Sequence, residues 1–219
     1  MPVKRKIIIV DDHPVVRQGM TQLINQENDL EVCGQIEEAS KVIDLIKKIK
    51  PDLVILDLSL KDTSGIEVIK DIKVSYQDLP ILVLSMHDET LYAERVLRLG
   101  AMGYIMKHEA TEKIIFALRQ VLNGNIYASD TILSNILRKA VSNKTDRKNP
   151  IERLSDRELE IFQFIGDGLK TSQIAEKLNL STKTIEVYKE KIKEKLNIQS
   201  GTELTKYCIE FAMNEKRKL

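Results

Sequence analysis

Residues 53–60, LVILDLSL, constrain this chain most: an apolar run in which one acid, Asp57, stands near the centre. Continuous Val, Ile and Leu without polar alternation suit a strand buried on both faces of a parallel sheet, and ligands collect at the carboxyl ends of such strands. Asp57 occupies such an end. Three further runs share the pattern: residues 6–10, KIIIV, lead into Asp11 and Asp12; residues 81–85, ILVLS, end in Ser85; and residues 103–106 lead into Lys107. The strand ends therefore carry two or three carboxylates, a hydroxyl and an ammonium.

A carboxylate at a strand end can be a metal ligand, a nucleophile or a helix cap. Clustered carboxylates repel one another and favour a hard cation, and Mg2+ takes one or two of them together with waters and phosphate oxygens. Asp12 and Asp57 suit that cation, while Asp57 also suits a nucleophile that forms an aspartyl phosphate. Lys107 and the Ser85 hydroxyl would then meet the charge of the transferring group. Ser59 and His87, each two residues beyond a member of the set, line the approach of hydrolytic water in this reading and so set the phosphate lifetime. His13, His87 and His108 show no ligand spacing and read as structural or solvent-facing.

Between the strands, apolar residues recur at helical spacing, as in Val15, Val16, Met20, Leu23 and Ile24, or Val42, Ile43, Leu45, Ile46 and Ile49. Residues 30–36 supply a further strand. Five strands alternating with five helices predict an α/β fold, a doubly wound parallel sheet with right-handed crossovers. That domain is placed at residues 1–126. Residues 127–150 follow as a linker helix and a flexible linker, because 142–150, SNKTDRKNP, has almost no apolar residue.

Residues 151–219 read as a small all-α domain of four helices. Ser155 and Glu158 form a capping box, Gly166 and Gly168 end the helix it starts, Thr171 is expected to cap a second helix and Ser181 a third. Helix, tight turn, helix is a DNA-reading unit. On a helical wheel of the third helix, Ile185, Tyr188, Ile192 and Leu196 point inwards, and Lys183, Val187, Glu190 and Glu194 point outwards. In a major groove Lys183 suits guanine, Val187 a thymine methyl, and Glu186 or Glu190 the cytosine amino group. Lys189, Lys191, Lys193 and the Thr171 and Thr184 hydroxyls suit phosphates.

Asp11-Asp12-His13-Pro14 with Val16-Arg17 resembles the opening of response-regulator receiver domains of the NarL/FixJ subfamily, and the likeness spans the first 123 residues. Leu154-Ser155-x-Arg157-Glu158 and Thr184-Ile185-Glu186-Val187-Tyr188 resemble the LuxR/FixJ-type DNA-binding domain. The resemblance implies a flavodoxin-like receiver with Asp57 as phosphoacceptor, and a Mg2+ site of Asp11, Asp12, Asp57 and the Ser59 carbonyl. It also implies Ser85 and Lys107 as phosphoryl contacts, Tyr104 as an aromatic switch, and a sensor histidine kinase and double-stranded DNA as partners. A homodimer is expected on phosphorylation, paired on DNA by a last helix with Leu204, Tyr207, Cys208 and Phe211. Leu60 and Lys61 stand where the family often has Met-Pro, which implies altered loop geometry or kinase preference.

Composition narrows the classes. Cys33 and Cys208 lie far apart and form no redox or metal spacing, the start of the chain does not read as a signal peptide, and no apolar run approaches membrane-spanning length. A cytoplasmic protein without membrane contact is expected. The net charge is only +1, so DNA affinity has to come from local charge placement. A DNA-binding regulator, not an enzyme, is the main expectation. Two alternatives stay open: a phosphorylation-independent DNA-binding protein with the receiver as dimerisation scaffold, and an aspartate-nucleophile phosphohydrolase.

Overall fold

The computed structural model describes residues 3–60, 63–141 and 150–216. Lys61, where the loop after Asp57 departs from the family pattern, and most of the linker stretch, 142–149, lie outside the described residues. The chain divides into two compact units, Met1–Val141 and Ser142–Leu219.

In the first unit five parallel strands, β1 (Arg5–Val10), β2 (Leu30–Ile36), β3 (Leu53–Leu56), β4 (Ile81–Ser85) and β5 (Gly103–Met106), lie in the order β2-β1-β3-β4-β5. Helices α1 (Pro14–Asn25), α2 (Val42–Ile49), α3 (Gly65–Ser75), α4 (Glu89–Arg98) and α5 (Ala110–Leu122) connect them, and α6 (Asp130–Val141) follows. The unbroken Ile-Ile-Ile-Val and Leu-Val-Ile-Leu runs of β1 and β3 are fully buried, as two-sided cover requires. Alternate residues of β1 serve opposite layers; Ile7 and Ile9 join Ile24, Leu30, Ile114 and Leu118 in one core cluster. Burial of each such side chain stabilises by about 1.5–3 kcal/mol.

Register positions the site. Val10 pairs with Leu56, so Asp11 and Asp57 leave neighbouring strands side by side, and the Asp57 amide donates to the Val10 carbonyl at 2.8 Å. Ser85 pairs with Met106, which brings Lys107 to the same edge. The chain moves from β1 outward to β2 and then back across to β3, and the crevice at such a reversal is where open α/β sheets bind ligands.

The helix expected within the linker is part of the first unit. Tyr127 bridges to Gly103 beside the edge strand β5, α6 packs on α4, and Ile132 is buried.

The second unit comprises α7 (Asp156–Gly166), α8 (Thr171–Lys177), α9 (Thr182–Leu196) and α10 (Gly201–Lys216). The capping box is formed: Glu158 Oε2 accepts from the Ser155 amide at 2.7 Å, and Ser155 Oγ accepts from the Glu158 amide at 3.4 Å. Gly168, at φ +83, turns the chain out of α7 in a conformation that only glycine adopts readily. Thr171 is not the cap expected of it; α8 starts one residue earlier, where the Gln173 side chain accepts from the Lys170 amide at 2.8 Å. Part of the apolar set of α10 packs inside the unit, while Tyr207 and Phe211 stay half-buried. Leu204 and Cys208 are fully buried, and the Tyr207 and Phe211 rings stand edge-on to Phe162 at 6.0 and 5.6 Å. No described helix is long and apolar enough to cross a membrane.

Candidate phosphoacceptor pocket and DNA-reading helix

Asp57, Asp11 and Ser85 are buried polar residues at the strand ends, each no more than 1% exposed. The Lys107 ammonium lies 2.7 Å from Asp57 Oδ2 and 2.7 Å from Asp11 Oδ2. Asp57 Oδ1 accepts from the Ser59 amide at 3.2 Å. Burial pushes the Asp57 carboxyl above the usual range, against the pull of Lys107 and with the push of Asp11. Burial draws the Lys107 ammonium down, but Asp57 and Asp11 outweigh it, so its pKa stands above the ordinary lysine value. The pocket holds a desolvated carboxylate beside one fixed cation.

Among the described residues Asp11 Oδ2 and Asp12 Oδ1 are buried and make ion contacts, to the Lys107 ammonium at 2.7 Å and to His13 Nδ1 at 2.6 Å, with no further hydrogen bond. Acceptors left over in a carboxylate cluster fit a divalent cation. The acids and His13 can each offer a donor atom within 4.8 Å of all the others.

The hydroxyls and His87 form a second layer. Ser85 Oγ accepts from the His87 amide at 3.1 Å, Ser59 Oγ and His87 Nε2 are 2.8 Å apart, and the Tyr104 hydroxyl donates to the His87 carbonyl at 2.6 Å. His87 stacks on Tyr92 with ring centroids 4.7 Å apart. Tyr104 is 2% exposed, and burial holds its phenol protonated. Gly65 closes the pocket floor: a Cβ there would come within 2.6 Å of the Leu58 Cα.

Sequence reasoning missed two residues here. Arg17, on α1, donates to the Asp11 carbonyl at 2.6 Å and holds the acidic loop. The His13 ring, read as structural or solvent-facing, lies against all three acids. Their adjacency to Asp11-Asp12 was the available signal.

In the second unit, Lys183, Val187 and Glu190 form the exposed strip of α9, with Val187 49% exposed. Glu190 pairs with Lys193 at 2.8 Å, and the Lys191 ammonium lies 5.7 Å from the Tyr188 ring centroid. Thr171, Glu186 and Lys189 meet one another across the turn: Thr171 Oγ1 donates to Glu186 Oε1 at 2.9 Å, as does Lys189 at 2.9 Å. Lys189, with Thr171, holds the Glu186 carboxyl below its usual range. The Thr184 hydroxyl is 2.7 Å from Ser181 Oγ, whose oxygen caps α9 by accepting from the Thr184 amide at 3.0 Å.

A doubly wound unit with an acidic pocket at its switch point, joined in one chain to a helix-turn-helix unit, defines a signal-receiving transcription regulator. The response regulator receiver domain family matches residues 7–119, and the luxR family of bacterial regulatory proteins matches residues 152–208. The chain belongs to the two-component response regulators of the NarL/FixJ family, receivers joined to a LuxR-type DNA-binding domain. It is 36% identical over 209 residues to the oxygen regulatory protein NreC of Staphylococcus aureus, an alignment covering 93% of this chain and 96% of that protein. The RcsB response regulator of Salmonella typhimurium matches with a TM-score of 0.72 at 29% identity, over 95% of this chain and 98% of that one. An RcsB–DNA complex matches at 0.68 and 30% identity, over 94% and 98%. RcsB bound to the rprA promoter with the phosphomimetic BeF3- matches at 0.68 and 29% identity, over 94% and 98%.

Proposed function

We propose that Asp57 accepts a phosphoryl group from a sensor histidine kinase, that Asp11, Asp12, Asp57 and the Ser59 carbonyl hold Mg2+, and that the modification switches DNA binding by α9. The observation that carries this reading is the Lys107 ammonium bridging Asp57 and Asp11 at 2.7 Å, all three nearly inaccessible to water.

Bound Mg2+ supplies charge neutralisation for the phosphoryl oxygens. Everything else belongs to the chain. The Asp57 carboxylate attacks phosphorus as the bond to the donor imidazole breaks, and a desolvated carboxylate held on one side by Lys107 and on the other by the Ser59 amide is oriented for that attack. Lys107 then meets the new negative charge, and the Ser85 hydroxyl turns from the His87 amide to a phosphoryl oxygen. Ser59 and His87, joined at 2.8 Å, flank the acceptor and govern how readily water reaches it.

The signal has a path to α6. The Tyr104 amide donates to the Tyr127 carbonyl at 2.8 Å, the Tyr127 amide to the Met102 carbonyl at 2.9 Å, and Ser129 Oγ to Glu89 Oε1 at 2.7 Å. A shift of the Ser85–His87 loop, carried by the Tyr104 hydroxyl on the His87 carbonyl, therefore moves β5, α4 and α6 together. Two arrangements of this face, differently stabilised by the phosphoryl group, make the switch. Its output is a homodimer whose α9 helices read two half-sites. Lys183, Val187 and Glu190 suit base edges, and Thr171, Thr184 and Lys191 suit phosphates, with Glu186 positioning Thr171 and Lys189. A kinase-fed regulator of DNA works in the cytoplasm. The relative RcsB, seen on promoter DNA with a phosphomimetic, supports the same sequence of events.

The test uses the full chain and its Asp57→Asn variant with acetyl phosphate and Mg2+, following intact mass and light scattering together. One added phosphoryl group on the parent alone, with a doubling of particle mass, is expected. Phosphorylation of both proteins, or of neither with a kinase also supplied, would overturn the assignment of Asp57.

A further inference from the structure

The imidazole of His13 has no part in this scheme, yet it faces the same carboxylates. Its Nδ1 lies 2.6 Å from Asp12 Oδ1, 3.2 Å from Asp11 Oδ1 and 4.0 Å from Asp57 Oδ2. A six-coordinate cation with bonds of about 2.1 Å sets neighbouring donors about 3 Å apart and opposite donors about 4.2 Å apart. The 3.2 and 4.0 Å separations lie near these values, the 2.6 Å one is tighter, and one donor atom from each of the four residues lies within 4.8 Å of the others, close enough to surround one ion. His13 precedes α1, where its amide donates to Asp11 Oδ1 at 2.8 Å; its ring does not cap the helix but turns to the acids, with Nδ1 within hydrogen-bond distance of Asp11 Oδ1. Pro14 at the first helical position fixes the chain just after it, so the imidazole is held close to the acids from a rigid base. Asp11 Oδ2 and Asp12 Oδ1, which have only their ion contacts to Lys107 and His13 among the described residues, keep acceptor capacity that a shared cation would take up.

We propose that His13 is a nitrogen ligand of this cation site, and that the pocket is therefore built for a borderline transition metal such as Mn2+, Co2+, Ni2+ or Zn2+ as well as for Mg2+. Imidazole suits these metals, whereas Mg2+ keeps to oxygen donors. Ligation through Nδ1 requires that nitrogen's lone pair, so the ring proton would stand on Nε2; the side chain as a whole is 60% exposed. Availability of such a metal thereby becomes a second input on the receiver. The inference rests on the cation pocket proposed above.

Calorimetric titration of the full chain with Mg2+ and with Ni2+, for the parent, His13→Ala and His13→Asn, separates the two. Any divalent site ranks Ni2+ above Mg2+, so the readout is the change in their affinity ratio. Loss of the imidazole is expected to leave Mg2+ binding within about two-fold and to weaken Ni2+ roughly ten-fold or more. Pulsed electron paramagnetic resonance of the Mn2+-loaded parent is expected to show imidazole nitrogen coupling that both variants lose. An unchanged Ni2+ to Mg2+ ratio, or nitrogen coupling that survives in both variants, would overturn the role of His13. A parent that binds neither ion would instead remove the cation pocket itself, and this inference with it.

Discussion

Replacing Lys107 by methionine keeps the bulk of the stem and removes the one ammonium that two buried carboxylates share. Asp57 and Asp11, each 1% exposed, then face one another without their counter-charge. Removing one member of a buried ion pair costs about 3–5 kcal/mol. The variant has an escape, since one carboxyl can take up a proton. Holding an aspartate protonated costs about 1.4 kcal/mol for every pH unit above its ordinary value of about 3.9, hence about 4 kcal/mol at pH 7 and about 1.5 kcal/mol at pH 5. Asp57, already raised by burial, takes that proton. The first unit should therefore lose about 3–4 kcal/mol at pH 7 and no more than about 1.5 kcal/mol at pH 5. The sign follows from linkage: a carboxyl whose folded pKa is raised binds its proton on folding, so its cost grows as pH climbs from the unfolded value toward the folded one. Lys107 itself does not interfere, because a raised lysine keeps its full contribution below about pH 10.4. Urea unfolding followed by circular dichroism in EDTA measures the loss, and hydrogen exchange of the β3 amides identifies the first unit's transition. A loss under about 1 kcal/mol at pH 7, or an equal loss at both pH values, would refute the reasoning.

Other outcomes follow from single contacts. Gly65→Ala forces a methyl against the Leu58 backbone and should cost at least about 2 kcal/mol and slow phosphoryl uptake; unchanged stability and uptake would show that the floor of the pocket yields. Tyr104→Phe deletes the 2.6 Å bond to the His87 carbonyl and should cost about 1 kcal/mol while uncoupling phosphorylation from dimerisation, read by calorimetry and light scattering. Glu186→Gln removes a charge beside the α9 strip and releases Lys189 for phosphate, so the salt dependence of DNA binding should steepen by about one in log–log slope.

Much of this was legible because the signals were local or chemical. The apolar runs of β1 and β3 had to be central parallel strands, and Asp57 could be picked out because it stands at the end of one. The Ser155–Glu158 box marked the start of α7 from four residues. Other features depended on what an apolar stripe meets, which periodicity does not encode. Residues 204–211 of α10 carry the spacing of a pairing face, and the structure shows that Phe162 of α7 already takes up part of it within the unit. Helix α6 looked like a linker until its Ile132 found cover on the first unit and Ser129 found Glu89. His13 was passed over because no histidine or cysteine partner stands at ligand spacing; the parallel register of β1 and β3 supplies its neighbours instead. The Thr171–Glu186–Lys189 contact crosses a turn, where a wheel drawn for one helix sees only part of it.

The central claim is that a phosphoryl group on Asp57 controls DNA binding by α9. Its most direct test selects duplexes from a random pool with the BeF3-treated protein and then compares affinities for the winning sequence. BeF3- with Mg2+ is expected to tighten binding by the parent at least about ten-fold, or about 1.4 kcal/mol, and to leave Asp57→Asn unchanged. Equal affinity of the treated and untreated parent would contradict it.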